Sequence, residues 1–174
     1  MGKTPIDCRN VPGNRWVKYE AHEFGLHKVN PKNKAEIWAE IVSDPAADDK
    51  SAVRMPGTHR QWAMQMGLRG YDEKEYLPNN VILKKKYIVS IWARTEGTAS
   101  SGTAFTAGIY SNNKRKIIGE TAVDMSRSKG KKYKRFSFKP MELDNDVTIF
   151  IAPPAGKPGE VESVFIDKIT LIRQ

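Results

Sequence analysis

Residues 87–95 read YIVSIWART, and their side chains alternate between two kinds. The odd-numbered positions carry the more hydrophobic set, which is Tyr87, Val89, Ile91 and Ala93. The even-numbered positions are mixed, with Ile88, Ser90, Trp92 and Arg94. Because successive side chains of a β-strand point to opposite faces, this period of two predicts a strand with one buried side.

The same pattern recurs in short runs separated by clusters of Gly, Pro, Asn and Asp. Roughly ten short antiparallel strands with turn signals between them predict an all-β sandwich or jelly roll. Within 132–139, Tyr133 is out of phase with Phe136 and Phe138, which predicts a bulge or a late start to that strand. The other runs with strand character are 16–24, 35–42, 51–55, 61–68, 103–111, 116–123, 132–139, 146–153 and 162–172.

The length of 174 residues fits one domain with its own core. We expect residues 1–15 to be a polar leader or linker, or an extra edge segment, and residues 16–174 to be the sandwich domain. The leader lacks the apolar stretch of a signal peptide, and no apolar run reaches the roughly 20 residues that span a bilayer. The single Cys8 forms no internal disulfide, so cysteine usage does not indicate a compartment.

The formal net charge of +9 raises the question of a polyanionic partner. The basic residues fall in short bursts at 32–34, 84–86, 114–116 and 129–135, mostly at predicted turns or strand ends, where solvated lysines are common. No zinc finger, helix-turn-helix or RNA-recognition signature is present. A solvated surface is therefore favoured over a nucleic acid, and an acidic polysaccharide would serve equally well as the polyanion.

The stretch AHEFGLH (21–27) resembles the zinc-protease motif H-E-x-x-H but has the wrong spacing. His22 and His27 are five positions apart, which on a helix would rotate the second imidazole by about 140° from the first. No nucleophile elbow or phosphate-binding loop is present elsewhere, and the paired carboxylates, such as Asp48 and Asp49, lie in loop-like stretches. We therefore expect no enzyme activity.

An acidic residue, Asp167, stands in the apolar last strand VFIDKITLI (164–172). By parity it shares a face with Phe165, Ile169 and Leu171, so an unpartnered carboxylate there would be costly. Either a bulge turns it outward or a backbone amide caps it, or it holds a hard cation such as Ca²⁺. Glu20 in the first strand is the natural second carboxylate if first and last strands are neighbours.

Four motifs, in order, resemble calcium-binding jelly-roll carbohydrate-binding modules of families 6 and 35, a galactose-binding-like β-sandwich. They are YEAHEF (19–24), DPAADDKSAVRM (44–55), LKKKYIVSIWART (83–95) and SVFIDKITLI (163–172). The resemblance implies a structural Ca²⁺ held by Glu20 and Asp167, with His22 standing where the family has a second Glu. It also implies secretion or a cell-surface location.

Sugars bind to aromatic platforms assisted by polar side chains. The resemblance implies a site in the loops at one end of the sandwich or on a concave face, which Trp92 and Tyr110 would line together. For an acidic sugar, Arg60, Arg69 and Arg94 are natural partners. The predicted carbohydrate-binding residues are His59, Arg60, Trp62, Tyr71, Tyr76, Trp92 and Tyr110.

These patterns together predict a non-catalytic carbohydrate-binding module of a larger exported glycan-active protein, such as a glycoside hydrolase. Its partners would be a neutral or acidic poly- or oligosaccharide and other domains of the longer chain. Two alternatives stay open. The sandwich could pack on a neighbouring catalytic domain without a ligand of its own, or it could bind a polyanion.

Overall fold

The structure, a computed structural model, describes residues 6–7, 39–58, 63–67, 82, 84–144 and 146–174. Within these residues the chain forms strands and a single helical turn, and no helix is long and apolar enough to cross a membrane. In chain order the elements are β1 (Ile6–Asp7), β2 (Glu40–Ser43), β3 (Ser51–Pro56), β4 (Met64–Gly67), β5 (Lys85–Glu96), β6 (Thr103–Ser111), β7 (Lys116–Asp124), α1 (Met125–Ser128), β8 (Lys134–Ser137), β9 (Met141–Leu143), β10 (Val147–Ala152) and β11 (Ser163–Arg173).

The strands form two antiparallel sheets. The larger sheet has the order β2-β3-β11-β5-β8, with β1 pairing to β11 and β9 to β5. The smaller sheet has the order β4-β10-β6-β7. Because non-consecutive strands are neighbours in both sheets, connections cross between them, and the predicted all-β jelly-roll sandwich is confirmed.

The hydrophobic core lies between the sheets and has the parity that the sequence predicts for β5. The side chains at 87, 89, 91 and 93 are fully buried, and they face the alternate side chains of β6 at 105, 107 and 109. Phe105 packs edge-on against Phe136 of β8, with ring centroids 5.8 Å apart. Trp92 and Arg94, at the other parity of β5, therefore lie on the outer face of the larger sheet.

The strand predicted over 132–139 starts late, as its irregular pattern indicates. β8 begins at Lys134, and Phe136 and Phe138 are buried in the core. Tyr133 precedes the strand and stands outside the core, where its hydroxyl reaches a carboxylate of the 44–50 loop.

A bulge in β11 overturns the predicted parity of the last strand. The register with β5 shifts between Ile166 and Lys168, so Asp167 is the extra residue. Val164 and Ile166 are core residues before the bulge, and Ile169 and Leu171 are core residues after it. The prediction that Phe165 shares the core face with Asp167 is therefore wrong.

Two residues of the predicted leader belong to the larger sheet. Ile6 and Asp7 pair antiparallel with Leu171 and Thr170 of β11, as an extra edge segment would. The rest of 1–15 lies outside the described residues, so the boundary between leader and domain stays a prediction.

We expect Gly57→Ala to destabilise the fold by about 1–3 kcal/mol, the usual cost of overpacking. A Cβ at position 57 would lie 1.9 Å from the carbonyl oxygen of Val161, and backbone cannot swing aside as a long side chain can. Urea unfolding would measure the loss. Gly156→Ala is the control, since its Cβ would meet only the Glu160 carboxylate at 3.4 Å, and equal losses would contradict the steric argument.

Candidate functional site

A cleft of about 480 Å³ lies on the outer face of the larger sheet. Its floor is Trp92 of β5 and Lys168 of β11, which pair across the two strands. The 45–50 stretch after β2 forms one wall, and Lys132 and Tyr133, just before β8, form another. The cleft is lined by Pro45, Ala46, Ala47, Asp48, Lys50, Trp92, Lys132, Tyr133, Asp167 and Lys168.

The walls are tied together by a buried guanidinium beside the cleft. Arg94 is 7% exposed, and its Nε and Nη2 donate to Oδ2 of Asp44 across 3.0 and 2.7 Å. Its Nη1 donates to Glu96, which completes the pairing of the charge. The Tyr133 hydroxyl donates to the same Asp44 oxygen across 2.6 Å, so one carboxylate fixes both the start of the loop and the segment before β8.

Two aromatic rings cover the guanidinium. The Phe165 ring centroid lies 3.8 Å from Cζ of Arg94, and the Tyr133 ring centroid lies 5.6 Å from it. Stacking on aromatic faces is a favoured environment for a weakly hydrated guanidinium. This explains why Phe165, which points away from the core between Val164 and Ile166, is nevertheless 7% exposed.

The network shifts the pKa values of the Asp44 carboxyl group and the Tyr133 hydroxyl group. Burial by itself would raise the pKa of the Asp44 carboxyl, but the hydrogen bonds from Tyr133 and Arg94 outweigh it and hold that pKa below its ordinary value of 3.8. Burial, and then the bond to Asp44, raise the pKa of the Tyr133 hydroxyl. At neutral pH the site therefore contains a carboxylate and a phenol.

The 44–50 loop is closed by its own backbone. The Asp44 amide donates to the Lys50 carbonyl across 3.0 Å, and the Ala46 amide donates to the Asp44 side chain across 2.9 Å. Lys50 ends the turn with a φ of 64°. The compact turn presents Asp48 to β11, where its side chain pairs with Lys168.

Asp167 is capped by a backbone amide, which is one of the arrangements that the sequence left open. The Asp48 amide donates to Oδ1 of Asp167 across 3.2 Å, and the Asp167 side chain is 6% exposed. The bulge removes it from the parity of the core. Asp167 thus joins the last strand to the loop.

Trp92 lies in this cleft, whereas Tyr110 does not. Trp92 is half-buried, Lys168 Nζ lies 5.2 Å from its ring centroid, and its Nε1 has no hydrogen-bond partner among the described residues. Tyr110 is in β6, where its neighbour Ile109 points into the core, so its side chain lies on the outer side of the smaller sheet. The two aromatics are on opposite faces of the sandwich, and the prediction that they line one face together is wrong.

The remaining predicted sugar-binding residues lie outside the described residues and stay predictions, namely His59, Arg60, Trp62, Tyr71 and Tyr76. Arg69 also lies outside them. Arg94 is described, but because it is buried and bound by two carboxylates, it supports the cleft and is not available to an acidic ligand.

Sequence reasoning missed Lys50, Lys132, Tyr133 and Lys168 as cleft residues. The out-of-phase position of Tyr133 was a usable signal, because a ring excluded from the core beside a strand must contact something else. The pairing of Lys168 with Asp48 had no local signal, since the two residues meet only through the fold.

The calcium prediction depends on a residue outside the described part of the chain. Ca²⁺ takes six to eight oxygen ligands. No group of three or more His, Cys, Asp or Glu side chains in the described residues could hold a metal ion, so Asp167 alone does not fit one. Glu20 lies outside the described residues, and the site it would form with Asp167 stays a prediction.

Comparison with solved structures finds distant similarity to xylan-binding domains. The N-terminal CBM22-1-CBM22-2 tandem domain of Paenibacillus barcinonensis Xyn10C matches with a TM-score of 0.50 and 10% identity, over 78% of this chain and 38% of that one. The CBM22-1 xylan-binding domain of the same protein matches with a TM-score of 0.49 and 12% identity, over 78% of this chain and 80% of that one.

The CBM22-1-GH10 modules of Clostridium thermocellum xylanase 10B, solved with xylohexaose, match with a TM-score of 0.49 and 13% identity. The match covers 79% of this chain, which spans only 24% of that protein. No model of a known protein family and no curated protein matches the sequence. At this identity the tandem domain supports the sandwich fold alone, and it does not single out families 6 and 35.

We expect Tyr133→Phe to lower the free energy of unfolding by about 1.5–3 kcal/mol at neutral pH, which is the usual contribution of a hydrogen bond to a charged group. Because the pKa of Asp44 is lowered in the folded state, this stabilisation is present above its unfolded value and is lost as pH falls through the folded value. The difference between the two proteins in urea unfolding should therefore shrink in acid. In an Asp44→Asn background the same change should cost less, and an equal cost would contradict the network.

For calcium, we expect CaCl₂ to raise the melting temperature and EDTA to reverse the rise, because a ligand that binds only the folded state stabilises it. Asp167→Asn should abolish the response while keeping an oxygen for the Asp48 amide, and Glu20→Gln should do the same. A calcium response that survives both changes would place the ion elsewhere. If the unmodified protein shows no response to CaCl₂, the predicted calcium site is wrong.

Proposed function

We propose that this chain is a non-catalytic carbohydrate-binding module that holds a poly- or oligosaccharide in the cleft over Trp92. The observation that carries the proposal is the combination of a half-buried aromatic floor with polar walls in one concave site on a jelly-roll sandwich. Binding clefts of this kind are concave, with a few fixed polar groups around an apolar contact surface.

The chemistry of the cleft suits a sugar. An indole face can pack against the C–H groups of a pyranose ring, while ammonium and carboxylate groups at the edge bond to hydroxyls. Trp92 supplies the ring, and Lys50, Lys132 and Asp48 supply polar groups at the rim. The arginine network beside the cleft holds the walls in place before a ligand binds, which lowers the entropic cost of binding.

The carboxylates of the cleft are engaged in a way that suits binding better than catalysis. Asp48 pairs with Lys168, and Asp167 accepts the Asp48 amide. A glycosidase needs one carboxyl group with a raised pKa facing a second across the scissile bond. Equilibrium binding needs neither, and it would keep a partner domain close to its polysaccharide.

The larger context is also part of the proposal. The similar tandem domain consists of two modules, CBM22-1 and CBM22-2, in one chain. By analogy we place this chain in a longer exported glycan-active protein, secreted or at the cell surface.

The two alternatives have less support among the described residues. The exposed large apolar side chains there are Ile82 and Ile117, so the described residues by themselves form no broad apolar docking surface. A general polyanion surface would need the lysine bursts on one face. Instead, 84–86 and 129–135 lie towards opposite ends of β5, and 114–116 lies in the hairpin of the smaller sheet.

We expect Trp92→Ala to weaken glycan binding on the order of tenfold or more, equivalent to about 1.4 kcal/mol or more, because the stacking surface is lost. Trp92→Phe keeps an aromatic ring and should lose less affinity than Trp92→Ala. It also serves as a more conservative variant in case Trp92→Ala fails to fold. Affinity electrophoresis on a polysaccharide panel would measure both. Tyr110→Ala, on the opposite face, is the control.

If Tyr110→Ala weakens binding and Trp92→Ala does not, the sugar binds the smaller sheet and the cleft is not the site. If the folded protein binds no polysaccharide of the panel, the proposed function fails.

A further inference from the structure

The aromatic ring in the floor of the cleft lies between two cations on the outer face of the larger sheet. Directly opposed residues of antiparallel strands point to the same face. Trp92 pairs with Lys168 on β11 and with Arg135 on β8, so the row Lys168–Trp92–Arg135 crosses the outer face of the larger sheet. Arg135 is exposed and forms no ion pair with a described residue.

Two more cations stand on the walls without a carboxylate partner in the described chain. Lys50 Nζ donates only to the Pro45 carbonyl, across 3.1 Å, and Lys132 forms no ion pair there. Lys168, by contrast, is paired with Asp48. Three cations at the cleft therefore have no acid partner among the described residues: Lys50 and Lys132 line it, and Arg135 lies beside it on the same face as Trp92.

The acids of the cleft do not offset this charge at the surface where a ligand would lie. Asp48 is paired with Lys168, and Asp167 is 6% exposed and accepts the Asp48 amide on one oxygen. A neutral sugar would leave the three cations unpaired, whereas a carboxylate or sulfate group on the sugar would pair with them.

We infer that the ligand of this cleft is an acidic glycan, whose carboxylate or sulfate groups pair with Lys50, Lys132 and Arg135 while a sugar ring packs on Trp92. This inference rests on the proposed function and specifies its ligand. It assigns the charge selectivity to lysine and arginine side chains, which do not bind Ca²⁺.

The test compares two triple variants matched in charge and backbone. Lys50→Gln/Lys132→Gln/Arg135→Gln removes the three unpaired cations in and beside the cleft and keeps Lys168, which is paired with Asp48. Lys85→Gln/Lys114→Gln/Arg115→Gln removes two lysines and one arginine, all exposed and away from it. Each set contains one residue with positive φ, Lys50 or Arg115, so the backbone contexts match. Thermal unfolding checks that both variants fold.

The probes are polygalacturonate and glucuronoxylan, each with its carboxyl-reduced form, heparin with its desulfated and carboxyl-reduced form, and the neutral polymers arabinoxylan and galactomannan. We expect the unmodified protein to bind an acidic polymer more tightly than its reduced form, and the preference to fall with added NaCl. Surface ion pairs are each worth about two- to fivefold, so the cleft triple should lose on the order of tenfold or more and the control triple much less.

The other outcomes overturn different parts of the proposal. Tight binding to a neutral glycan, insensitive to the cleft triple, would overturn the acidic ligand and leave the proposed function standing. Equal losses of affinity in both triple variants would show that binding depends on the protein's overall charge, and this result would also overturn the acidic ligand of the cleft. Binding to single-stranded DNA, with no retention by any polysaccharide, would overturn the carbohydrate function together with this inference.

Discussion

The cleft depends on the neutralisation of one buried charge. Arg94 is on the outer face of the larger sheet yet is 7% exposed, so its guanidinium must be paired within the protein. Asp44 and Glu96 pair with it, and Tyr133 bonds to the same Asp44 oxygen. Removing one partner of such a buried pair typically costs about 3–5 kcal/mol. The constraint that keeps Arg94 buried therefore also holds the loop and Tyr133 in place.

The bulge at Asp167 is the second constraint, and it determines what the cleft contains. Without the extra residue, Lys168 would have the parity of Val164 and Ile166, which lie in the core. The bulge moves Lys168 to the outer face, where it lies above Trp92 and pairs with Asp48. A single inserted residue thus converts the middle of a core strand into part of a polar cleft.

The sequence predicted what depends on local periodicity. The alternation of 87–95 gave the buried face of β5, and the misplaced ring of Tyr133 indicated the late start of β8. The predicted parity of the last strand was wrong for Phe165 because one inserted residue changes it. The predicted shared face of Trp92 and Tyr110 was wrong because periodicity does not say which sheet a strand joins. Contacts between the 44–50 loop and β11 join residues more than a hundred positions apart, and no local pattern encodes them.

An NMR titration of ¹⁵N-labelled protein with an acidic oligosaccharide shows whether glycan binds in the cleft on the larger sheet, over Trp92. We expect shifts of the Trp92 indole signal and of the backbone amides at 46–50 and 132–133, whereas amides of β6 such as that of Tyr110 should not change. Shifts confined to β6 and its neighbours, with a still Trp92 indole, would contradict it.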